Sequence, residues 1–94
     1  MNSFSGKRRK EYVIRITDNV AKMIATKYQI SFNQAKKNFM NSQVYIYLAF
    51  ANEDFVEEGP EDFYDLYVNL RKTGRMVSST DLYLEKHPEL YSTL

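Results

Sequence analysis

SFNQAKKNFMNSQVYIYLAF, residues 31–50, is the densest apolar and aromatic run of this chain, and whether it forms helix or strand decides the fold. Ser31 followed three residues later by Gln34 is a capping box: the Ser hydroxyl can accept from the N–H of residue 34, and the Gln side chain can reach back to the N–H of Ser31. Behind this cap, Phe32, Ala35 and Phe39, with Met40 beside it, share a helical face, while Lys36, Lys37 and Asn38 take the other side. Asn41 and Ser42 compete for backbone hydrogen bonds and favour caps. The helix therefore either restarts at Ser42 or runs through with these two on its wet side. The eight residues 44–51, VYIYLAFA, carry no charge. Val, Tyr and Ile suit a strand, but no partner strand of similar quality exists elsewhere, and the run continues a capped helical pattern. The spacing predicts a central helix buried on most sides.

Working outward, residues 11–28 read as the preceding helix. Val13, Ile16, Val20, Ile24 and Tyr28 recur at intervals of three and four, and Asp18 with Lys22 is an acid-to-base pair one turn apart. Gln29 and Ile30 make a short turn into the Ser31 cap, which predicts an antiparallel helical hairpin. A short turn into a basic second helix is also how a helix-turn-helix begins. Downstream, 52–60 (NEDFVEEGP) is acidic and ends on the strong break Gly59-Pro60, with Phe55-Val56 expected to pin the loop to the core. Pro60 suits a first helical position. Glu61 and Asp62 complement the helix dipole, Phe63, Leu66, Tyr67 and Leu70 form a stripe, and Gly74 can cap the helix in the left-handed conformation. Residues 75–94 contain N-cap candidates at 78–81 and scattered apolar residues before and after Pro88, expected to dock on the core as one or two helical turns, with an exposed arm for another chain as the alternative.

The fold class that follows is all-α: a small single-domain bundle of three to five helices over 11–28, 31–51, 60–73 and a short C-terminal turn. Residues 1–10 are expected to be a flexible basic leader, 11–74 the bundle, and 75–94 a C-terminal arm.

Composition narrows function mainly by exclusion. The chain of 94 residues has no cysteine and one histidine. That removes disulfides, thiolate metal sites and cysteine nucleophiles, and suits a reducing cytoplasm. His87 stands beside Pro88 in the tail, a poor place for a catalytic base. The three glycines are isolated, so no phosphate-binding loop is present. The carboxylates of 53–62 lack the alternation of a calcium loop. No catalytic residue, cofactor or metal ligand is assigned, and the chain is not expected to be an enzyme. No apolar run reaches the roughly 18 residues that would span a bilayer, and the basic N-terminus has no apolar segment behind it; a cytoplasmic protein is expected.

Net charge is +1, but residues 1–50 carry nine Lys/Arg against two acids and residues 51–94 four against ten. Such a chain can pair its halves internally, pair with a copy of itself, or offer opposite faces to two partners. The eight tyrosines exceed what a core of this size needs, and tyrosine favours half-wet interfaces. Tyr45, Tyr47 and Tyr64 with Glu57 and Glu58 are therefore the candidate partner-binding residues. The alternative is nucleic-acid binding through Lys7, Arg8, Arg9, Lys10, Lys36 and Lys37, with Asn33, Gln34, Asn38 and Asn41 able to read bases.

The arrangement of Ala35, Phe39, Ser42, Tyr45 and Leu48, followed by an acidic loop and then GPEDFYDLY at 59–67, resembles a group of small uncharacterised bacterial helical proteins that are companions of toxin-type genes. The resemblance implies a non-enzymatic, antitoxin-like or regulatory protein whose partner is another protein or a second copy of itself.

Overall fold

The computed structural model describes residues 6–50 and 58–90, with the backbone alone for residues 6–8 and 90. Among these residues the fold is all-α: α1 (Gly6–Tyr28), α2 (Phe32–Met40), α3 (Gln43–Phe50), α4 (Pro60–Thr73), α5 (Ser79–Lys86) and a closing 3-10 turn, Pro88–Leu90. No helix of the described residues is long and apolar enough to cross a membrane.

α1 is the central element. Its stripe of Val13, Ile16, Val20, Ala21 and Ile24 is buried together with Ala35 and Phe39 of α2, Val44 and Leu48 of α3, and Phe63 and Tyr67 of α4. Full burial of a side chain such as Phe39 or Phe63 contributes roughly 1.5–3 kcal/mol. Contacts fix the directions of the helices. Tyr12, near the start of α1, donates its hydroxyl to the Glu58 carbonyl just before α4 at 3.3 Å, whereas Tyr28, at the end of α1, meets Tyr67 edge-on with centroids 6.4 Å apart. α1 and α4 therefore run parallel, and α2 with α3 carry the chain back to the start of α1, where Arg9 donates to the Leu48 carbonyl.

The hairpin from α1 to α2 forms without a glycine. Gln29 adopts the left-handed conformation at φ 55°, and the Ile30 N–H donates to the Ala25 carbonyl at 3.1 Å, the six-to-one bond of a Schellman ending. Ser31 caps α2 by accepting from the Gln34 N–H at 3.1 Å. The reciprocal half of the capping box is absent, because the Gln34 side chain donates to Asn38 Oδ1 at 2.7 Å instead.

The second helix is interrupted at Asn41 and Ser42, the first of the two arrangements the sequence permits. The Ser42 hydroxyl donates to the Phe39 carbonyl at 2.7 Å and accepts from the Tyr45 N–H at 3.4 Å. The interruption has a packing reason. On an unbroken helix Phe39 and Val44 would stand about 140° apart, yet both are fully buried. Breaking the helix lets α3 turn its own pair, Val44 and Leu48, toward the core.

α4 matches its sequence signals. Pro60 opens it, the Asp62 carboxylate accepts from the Gly59 N–H at 2.9 Å, and Gly74 ends it at φ 75° with its N–H donating to Leu70. Two expectations need correcting. α1 begins at Gly6 rather than at residue 11: residues 6–10 show no apolar period and so read as part of a basic leader, but Arg9 reaches across to donate to the Leu48 carbonyl at 3.3 Å. The C-terminal arm, in turn, docks without burying any residue of α5. Polar bonds hold it. Buried Asn69 donates to the Val77 carbonyl at 3.0 Å and to Ser79 Oγ at 3.2 Å. Asp65 accepts from the Ser79 N–H at 2.8 Å and from its hydroxyl, and Arg75 grips Glu85 through two bonds of 3.1 and 2.7 Å. The Phe55-Val56 island lies outside the described residues.

Candidate interaction surface

α3 is eight uncharged residues, QVYIYLAF, and both of its faces are apolar. Val44 and Leu48 are one turn apart and fully buried. Ile46 and Phe50, also one turn apart, stand about 200° around the helix from them and are 57% and 76% exposed. Ile14, Met40 and Tyr83 are exposed as well, but single exposed apolar residues are ordinary on any protein surface. An aligned pair on a helix that carries no charge is a different feature, because no charged side chain on that helix shields it.

The tyrosines expected to form the contact face are half-buried rather than on an exposed edge. Tyr45 stands edge-on to Phe39 with centroids 6.0 Å apart, and Tyr47 leans on Phe63 at 6.2 Å. Tyr64 is turned toward α1, where it lines a groove with Lys22, Met23, Thr26 and Lys27. The three therefore flank the bundle core instead of gathering on one outer face. Glu58 is half-buried beside Tyr12. Burial first, and the Glu58 carboxylate second, push the Tyr12 phenol above its ordinary value. Glu57 lies outside the described residues.

The basic residues divide in the same way. Lys36 pairs with Asp18 of α1 at 2.9 Å. The expected Asp18–Lys22 pair is thus replaced by a bond between helices, which ties α2 to α1 where the earlier pairing would only have decorated α1. Arg9 is occupied by the last turn of α3, where a cation also complements the negative end of the helix dipole. Lys10 and Lys37 are exposed; the side chains of Lys7 and Arg8 lie outside the description. At the far end of α1, Arg71 stacks on Tyr28 with its guanidinium carbon 4.6 Å from the ring centroid and donates to the Tyr67 hydroxyl at 3.3 Å. Burial raises the Tyr28 phenol above its usual value, with Arg71 opposing it.

Sequence reasoning singled out the tyrosines and passed over Ile46 and Phe50. The signal was present: Val44/Leu48 and Ile46/Phe50 are two apolar pairs of one-turn spacing on opposite sides of the same helix, and a helix in a small domain has one side to bury. Among the described residues no group of three or more His, Cys, Asp or Glu side chains could hold a metal ion. No protein-family model, no curated protein and no solved structure matches this chain.

Proposed function

We propose that this protein is a non-enzymatic interaction module that binds a partner protein through the outward face of α3. The observation that carries the reading is the exposure of Ile46 and Phe50, 57% and 76%, on a helix without charge. Apolar side chains so placed gain from being covered, and the fully buried centre of a protein interface is made of such residues. Half-buried Tyr45 and Tyr47 border the pair and supply the amphipathic rim. The antitoxin-like or regulatory role in a bacterial cytoplasm that the resemblance implies is consistent with a small domain acting by occupying another protein. Nucleic acid is the weaker reading, since Lys36 and Arg9 are directed to Asp18 and to the α3 carboxyl end.

The test is capture from native lysate by tagged wild type and by the Ile46→Glu, Phe50→Glu double variant, at low and high salt, with and without nuclease. A protein species held by wild type through high salt and nuclease, and lost with the double variant, is the expected result. Equal capture by both removes α3 as the surface. Recovery of nucleic acid alone, vanishing with salt, favours the basic half.

A further inference from the structure

Between the second half of α1 and the first half of α4 lies an open groove of about 430 Å³, lined by Lys22, Met23, Thr26, Lys27 and Tyr64. The four α1 residues follow one another at intervals of one, three and one, so they form a single flank of that helix beside its core stripe. Two features of the fold set the chemistry of this flank. Asp18, one turn before Lys22, is drawn away to Lys36 at 2.9 Å, so Lys22 keeps no carboxylate partner among the described residues. Lys27 has none either; its ammonium lies 5.7 Å from the centroid of the Tyr28 ring. Among the described residues no acidic side chain lines the groove.

The remaining walls are of another kind. Met23 presents a polarizable thioether and Tyr64 a flat ring with a hydroxyl at its edge. Thr26 donates to the Lys22 carbonyl at 3.1 Å, so its proton is committed to the helix and its oxygen can act toward a ligand only as an acceptor. Small-molecule sites occupy roughly 300–1,000 Å³ and combine apolar walls with a few oriented polar groups. An inorganic anion would neutralise the lysines and leave Met23 and Tyr64 wet. A neutral aromatic would cover the walls and leave two ammonium groups unused.

We infer that this groove binds a small organic anion, with an aromatic or alkyl body against Met23 and Tyr64 and a phosphate, sulfate or carboxylate group held by Lys22 and Lys27. The site is independent of the α3 surface, which contributes no residue to it.

The experiment is an amide NMR titration of the full chain with phenyl phosphate, set beside inorganic phosphate, benzyl alcohol and a short single-stranded oligonucleotide. Phenyl phosphate is expected to give saturable shifts centred on Lys22, Met23, Thr26, Lys27 and Tyr64, half-complete at a concentration at least about tenfold below that of the phosphate or the alcohol. The Lys22→Gln, Lys27→Gln double variant is expected to weaken phenyl phosphate by about tenfold with an unchanged spectrum elsewhere, since both side chains are exposed; Lys37→Gln on α2 should leave it unaffected. Shifts that rise linearly without saturating overturn the inference. So does equal affinity for inorganic phosphate, or saturation by the oligonucleotide where phenyl phosphate fails.

Discussion

α2 and α3 are neighbouring helices cut from one twenty-residue run, and they treat water in opposite ways. α2 buries Ala35 and Phe39 and turns Asn33, Gln34 and Lys37 to solvent, with Met40 at its last position as its one exposed apolar side chain. α3 buries Val44 and Leu48 as completely, yet turns Ile46 and Phe50 outward. Their core sides are equivalent in kind, so stability alone does not account for the outer side of α3. The difference separates what the fold requires from the face on which the proposed contact rests.

The comparison is broken most severely from within. Phe39→Ala should cost about 3–5 kcal/mol and Leu48→Ala about 2–5 kcal/mol, measured by denaturant unfolding, because both side chains are fully buried. Similar losses would mark both helices as core elements; a small loss for Leu48 would mean that α3 is only loosely attached. The caps come next. Ser31 and Ser42 each accept a backbone N–H at the start of their helix, at 3.1 and 3.4 Å, and Ala at either position should cost about 1 kcal/mol. Lys36→Ala removes a half-exposed ion pair with Asp18. It should cost about 0.2–1 kcal/mol, less at high salt. The smallest effect is a control outside the pair. Two bonds from Arg75 hold the Glu85 carboxyl below its ordinary value. A lowered folded value means that the contact stabilises above the unfolded titration range and fades as pH falls through the folded one. Hydrogen-exchange protection in α5, taken relative to the intrinsic amide rate at each pH, should therefore fall on acidification through that lower range, before that of α2 or α3 does.

Local signals carried much of this architecture. Ser31, Pro60 and Gly74 mark helix ends whose chemistry is complete within a few residues of chain, and Phe63 with Tyr67 follows the helical period directly. The features that could not be read depend on residues brought together by folding. Gln29 takes a left-handed conformation that favours glycine, at a cost of about 1–2 kcal/mol that the hairpin packing must offset. Arg9 lies in α1 although nothing near it in sequence invites a helix, and its bond is to Leu48. Asp18 prefers a lysine on the next helix to one on its own. Asn69, which no local signal marks, is buried and holds the segment leading into α5. The outward pair on α3 was missed for a related reason: tyrosine was weighted for its composition, while the placement of Ile46 and Phe50 depends on where the helix breaks at Ser42.

The central claim is that the two faces of α3 do different work, and Ile46→Glu tests it most directly when its unfolding midpoint and its partner capture are measured on one preparation. The account predicts stability within about 0.5 kcal/mol of wild type together with loss of the captured protein. Destabilisation on the scale of Leu48→Ala would contradict it by making Ile46 a core residue, and undiminished capture would contradict it by placing the contact elsewhere.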